Sequence, residues 1–238
     1  MYENFLVMVR PCKIQFMGEA ELQPKNNLLT IHSELFFYGD AASEELSIQI
    51  ARDVEDHWNE PAGKVQIGKY WFFKKEYEVR FHIKGTYIPE LSPEMIYENT
   101  NPRNNYFRIE EFATGNISFV DGINSNTGYF KLENLLNNST TAAHEFGHTL
   151  GLDHPHQLDI RGQGIPGIMY PRGTLVDPRF QYYPDVAPGK KGGTLNPFTR
   201  KVLQADIDDL CLDKLDFGKN GLAMIGGFTS TWHEKQLP

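Results

Sequence analysis

Apolar and polar positions alternate in two distinct rhythms along this chain. From Leu28 to Tyr38 the run Leu-Leu-Thr-Ile-His-Ser-Glu-Leu-Phe-Phe-Tyr is dense in β-formers and predicts a strand. Gly39-Asp40 then turns the chain, and Asp40 or Ser43 is placed to cap a helix. Leu46, Ile50, Val54 and Trp58 recur every fourth residue and give that helix one apolar stripe, up to about Asn59, where Pro61 and Gly63 close it. Lys64–Phe73 and Tyr77–Ile88 return to a strand rhythm, as a hairpin or as two successive strands around Lys74-Lys75-Glu76. His82 alternates there with apolar neighbours and reads as a packed or surface residue.

Pro89 to Asn105 is rich in proline and asparagine and predicts a loop. Short strands are expected at Tyr106–Phe112, Asn116–Val120 and Tyr129–Leu132. The turn Asp121 to Gly128 carries enough side-chain oxygens to make calcium a further candidate ion, although turn chemistry alone accounts for it. Ser139 or Thr140 caps the next helix, which runs to about Leu150 and packs on Ala142, Ala143, Phe146 and Leu150. An irregular stretch follows. Asn196-Pro197 then starts a last helix with Val202, Leu203, Ile207 and Leu210 on its apolar stripe and Ala205–Asp209 on its polar side. The pattern is α+β without internal repeats. Residues 1–27 are an N-terminal extension, as a leading strand, a short pro-segment or part of a preceding domain; 28–215 form the main domain; 216–238 form a C-terminal tail with no functional reading.

Composition changes this picture little. Forty per cent hydrophobic residues and a length of 238 allow one domain with a proper core. A net charge of −8 argues against nucleic-acid partners. The apolar runs are too short to span a bilayer, and no secretory signal is visible. A monomer is expected.

The chemistry is concentrated in one run, Ser139 to His154. His144 and His148 are four residues apart, so a helix sets both imidazoles on one face, as half of a zinc site. A continued helix would carry His154 to roughly the opposite face, about 9 Å further along. Gly151 lifts that restriction by accepting the left-handed conformation that ends a helix, which lets the chain bring His154 back. Three histidines leave a fourth position for water, the catalytic arrangement of zinc. Glu145 flanks the ion and is placed to accept a proton from that water and return it to a leaving amine.

The string His144-Glu145-x-x-His148-x-x-Gly151-x-x-His154 is the metzincin signature, and the chain resembles a metzincin zinc endopeptidase. Gly167-Ile168-Met169-Tyr170-Pro171 matches the expected methionine turn, in the order most like the matrixin branch. The resemblance implies a metzincin-like zincin fold: a twisted mixed sheet with a backing helix and an active-site helix, its upper part ending near residue 151. An irregular lower part with a Met-turn and a C-terminal helix follows. It implies a zinc cofactor, a protein or peptide substrate added as a strand along a sheet edge (Asn116–Val120 or Tyr129–Leu132), and an exported or extracellular setting. Met169 would floor the metal site, and Tyr170 and Pro171 would wall the pocket for the residue after the cleaved bond. In astacins and serralysins a transition-state tyrosine stands two positions after the methionine; Pro171 stands there here, so Tyr170 has no catalytic role. Matrixins cap their zinc with a Pro-Arg-Cys-Gly thiol; Arg10-Pro11-Cys12-Lys13 departs from that order, which favours an inert thiol. Cys12 and Cys211, the only cysteines, leave one disulfide open as an alternative. Two other functions remain to be weighed: a zinc-containing binding module that no longer cuts, and a toxin or effector protease delivered into another cell.

Overall fold

The computed structural model describes residues 16–68 and 74–238. It is a mixed α+β fold built on one curled eight-stranded sheet. β1 (Phe16–Gln23) and β2 (Leu28–Tyr38) pair antiparallel. The helix α1 (Glu44–Asn59) follows, then β3 (Lys64–Ile67) and β4 (Lys75–Tyr87), which form an antiparallel hairpin. β5 (Asn104–Glu110), β6 (Phe119–Val120) and β7 (Thr127–Lys131) complete the sheet on its other side, in the order β3-β4-β2-β5-β7-β6. β2 runs parallel to both β4 and β5, and β5 parallel to β7, whereas β6 lies antiparallel to β7 at the border. β8 (Leu222–Gly226) pairs with β1, so a segment near each end of the chain joins the sheet. No helix among the described residues is long and apolar enough to cross a membrane.

α1 forms where the four-residue stripe predicts. Ser43 caps it, its hydroxyl accepting from Leu46 N at 3.2 Å, and Glu44 and Glu45 place negative charge in the first turn, where the helix dipole favours it. Its buried face (Ser47, Ile50, Ala51, Val54, Trp58) lies on β4, whose Tyr77, Val79, Phe81 and Ile83 alternate inward. His82 faces outward on that strand, as a surface residue. Trp58 is fully buried against Phe81 and Phe146, and its indole N–H donates to Ala143 O at 3.0 Å. That bond ties the backing helix to α3 (Thr141–Thr149), the helix carrying His144 and His148.

Four expectations need correction. The proline-rich loop contains a short helix, α2 (Pro93–Tyr97), because Ser92-Pro93 supplies a helix start in the loop-like composition. Asn116–Val120 keeps only two strand residues, since Thr114–Asn116 winds into a 3-10 turn. The last helix does not begin at Pro197. Asn196 caps a single 3-10 turn, Pro197–Thr199, its side chain accepting from Phe198 N at 3.2 Å. The backbone is extended at Arg200 (ψ 151°) and helix resumes as α4 (Gln204–Asp209). The predicted polar side also fails at Asp206, which is buried: its carboxylate accepts from Leu203 N at 2.7 Å, and burial pushes its pKa up to about 6. Cys12 lies outside the described residues, and with it the zinc-capping and disulfide expectations.

At Gly85 of β4 the sheet lies tight against α1. A β-carbon there would run into the Ser47 carbonyl and come within 2.9 Å of Ala51 Cβ. Gly85→Ala should therefore lower the unfolding free energy by about 1–3 kcal/mol, as overpacking does. Urea titration measures it, and a neutral result would mean that α1 does not lie this tightly on β4.

Candidate metal centre and its cavity

α3 ends in a turn that its last residues dictate. Gly151 takes φ +96°, Gly151 N donates to His148 O and Leu152 N to Gly147 O, both at 3.0 Å. These are the paired bonds of a Schellman cap, open to glycine and strained for other residues. The reversal carries His154 back to the helix face. Its Nε2 lies 3.1 Å from Nε2 of His144 and 3.1 Å from Nε2 of His148, and the three ligand atoms fall within 4.8 Å of one another. Among the described residues this is the one such group of three metal-ligating side chains.

The other ring nitrogens fix which atoms face inward. His144 Nδ1 is 2.7 Å from Ile168 O, and His148 Nδ1 is 2.7 Å from Leu152 O. A carbonyl only accepts, so each Nδ1 carries the proton and each Nε2 presents a lone pair. A single N–H on His154 serves one of those two lone pairs, while a cation serves all three nitrogens. Tetrahedral zinc with bonds of about 2.0–2.1 Å sets its nitrogen ligands roughly 3.3 Å apart, close to the separations found. Burial lowers the pKa of all three imidazoles and keeps them neutral, which is the ligating form. The donor set fits zinc.

Glu145 shares the buried face of α3, and one carboxylate oxygen accepts from Val120 N of β6 at 3.2 Å. Burial pushes its pKa up to about 8, against the opposing pull of Arg200 and the Val120 bond. A divalent cation nearby would draw it down again. Glu145, the three histidines, Pro171 and the segment 117–120 border one cavity of 510 Å³. Of the two candidate strand edges, β6 is the one at the sheet border, and β7 is covered on both sides.

Met169 is buried beneath α3: a β-carbon on Gly147 would collide with its sulfur and lie 3.1 Å from its Cε. Pro171 lines the cavity, whereas the Tyr170 ring packs against the small cluster of Ile160, Val176 and Leu195. His156 is exposed. In the turn 121–128, Asp121 is bonded to Thr127 and to His233, and Asn126 Oδ1 accepts from Thr229 N at 3.0 Å, so these oxygens face the C-terminal segment. That segment also lays Trp232 on Tyr38 with ring centres 5.1 Å apart.

Three contributors have no motif to announce them. Gly147 sits inside a helix where glycine costs about 1 kcal/mol, and that oddity is its signal. Asp206 reaches the backbone of Ile168 and Met169, supporting the turn that orients His144. Arg200 is buried at the cavity, its Nη1 donating to Tyr170 O at 3.1 Å. Nη1 is also 2.9 Å from His144 Nδ1, a contact that competes with the Ile168 bond. Both are donors once Nδ1 is protonated, so the shorter carbonyl bond prevails.

No family model matches the sequence, and no curated protein does. Among solved structures, the archaemetzincin of Methanopyrus kandleri is similar over 58% of this chain and 81% of its own, with 18% identity and a TM-score of 0.32. A likeness of that size assigns no family, and none of these comparisons points to the matrixin branch.

Because all three imidazoles titrate below their ordinary value of 6.5, bound zinc should survive dialysis at that pH and be released only on further acidification. His148→Ala should remove it at neutral pH. Metal analysis of dialysed protein is the measurement, and full zinc in the variant would break the ligand assignment.

Proposed function

We propose that the chain is a zinc-dependent endopeptidase of the metzincin type, with His144, His148 and His154 as ligands and Glu145 as the proton-transferring group. The Met-Tyr-Pro order at residues 169–171 sets it nearest the matrixin branch on sequence alone. One observation carries the reading: three imidazole nitrogens converge beside a buried carboxylate, at a cavity bordered by the edge of a sheet.

Zinc bound there supplies Lewis acidity, polarising a carbonyl and making a water molecule easier to deprotonate. The residues of the chain supply the rest. Val120 N–H holds one oxygen of Glu145, so the carboxylate faces the cavity in one orientation. Glu145 accepts the proton of the attacking water and passes it to the departing nitrogen. A proton affinity raised by burial suits a group that must both take and return a proton near neutral pH. An extended peptide lying along β6, the border strand beside the cavity, would bring its scissile bond over the histidines. Met169 fills the space under the metal-bearing helix, and Gly151 makes the turn that returns His154.

A silent zinc-binding module has no need of a buried, oriented Glu145. Glu145→Ala should cut peptide hydrolysis by about 10²–10⁴-fold with zinc content unchanged. Casein digestion with and without chelator, run on wild type and variant together, decides between the two: zinc retained without chelator-sensitive cleavage by the wild type would establish the module.

A further inference from the structure

Arg200 is a buried cation to which the hydrolytic reading gives no task. It is 5% exposed and lines the same cavity as His144 and Glu145. Nε donates to Thr140 Oγ1 at 3.0 Å and Nη1 to Tyr170 O at 3.1 Å, so the side chain is pinned by neutral acceptors. Among the described residues Nη2 has no hydrogen-bond partner, and no carboxylate forms an ion pair with the guanidinium. A charge with little water and no hydrogen-bonded counter-ion is costly to keep. Arg172, a like charge, is exposed and borders the same cavity, adding positive potential instead of cancelling it. Two carboxylates also border this space. Glu145 is bonded to Val120 N and acts on Arg200 only through space, and Asp153 acts on His148 and His154. Ile117, Phe119, Val120, Ile123 and Pro171 make the remaining wall largely apolar, which strengthens the pull of a fixed cation on an incoming anion.

We propose that Arg200, helped by Arg172 at the rim, receives a carboxylate of the substrate next to the cleaved bond, so that the protein selects acidic peptides. The proposal rests on the hydrolytic reading for its substrate class. The carboxylate has two sources, an aspartate or glutamate side chain and a free C-terminus, and both present the planar two-oxygen group that a guanidinium binds in a fork.

Quenched-fluorescent peptides in matched pairs test it with the zinc-loaded full chain. Members of a pair differ only by Glu or Gln at one position flanking the cleaved bond, or by a free or amidated C-terminus. A gain of at least about tenfold in kcat/KM for Glu identifies a side-chain carboxylate, and an equal loss on amidation identifies a chain terminus. Cleavage that ignores charge in both arms overturns the proposal and leaves the hydrolytic reading intact. If nothing is cleaved, the hydrolytic reading falls by itself, and fluorescence anisotropy of the same peptides still decides this one: equal dissociation constants for charged and neutral members overturn it. Arg200→Gln should erase the preference and Arg200→Lys retain part of it, with zinc content and near-UV circular dichroism reporting an intact centre. Arg172→Gln, at an exposed position, should weaken the preference several-fold, and wild-type ratios in these variants would sink the assignment.

Discussion

Two hydrogen bonds from imidazole to backbone carry the architecture of this site. Ile168 O and Leu152 O each take the Nδ1 proton of a histidine, and so aim two Nε2 lone pairs at one point. Side chains on a helix share a face by spacing alone, but a shared face leaves each ring free to rotate. The carbonyls remove that freedom before any ion arrives, which lowers the ordering entropy that binding must overcome. Both carbonyls belong to turns, and both turns are anchored elsewhere. Leu152 is fixed by the Schellman cap at Gly151, and Ile168 by Asp206 reaching back from α4. The candidate metal centre is thus the meeting point of a helix end and a distant loop, with α1 holding the helix from behind through Trp58.

Burial disfavours the charged form of every group here. It keeps the imidazoles neutral, raises the proton affinity of Glu145, and lowers the pKa of Arg200 to about 10, which still leaves the guanidinium ionised with little water around it. An unpaired buried charge costs several kcal/mol, offset only in part by hydrogen bonds to neutral acceptors. Stability given up in this way at a cavity is a common mark of a site that completes itself with a ligand. Gly147 belongs to the same pattern, since a poorer helix former there gives room to Met169.

The parts of the structure that follow from local rules were legible in the sequence. The β2 strand and the α1 helix appear with their forecast limits, because periodicity and a serine cap act within a few residues. The turn of His154 toward the other histidines was equally readable, as a geometric consequence of one glycine. What failed around the last helix depends on partners distant in the chain. The break at Arg200 makes sense only once Thr140 and Tyr170 are beside it, and the inward turn of Asp206 only once the loop at Ile168 needs a support. Nothing near residues 196–210 signals either contact. The joining of β1 to β8 across nearly the whole chain was out of reach for the same reason.

The shortness of β6 has a consequence for how the protein behaves in a crowded solution. An open sheet border invites any extended chain, including another copy of the protein, and long borders of this kind seed aggregates. β6 contributes just two ladder residues, Phe119 and Val120, at the border beside the cavity. A passing strand finds too few backbone partners there to stay. Retention then requires a second grip inside the cavity, so the meagre edge acts as a filter against self-association.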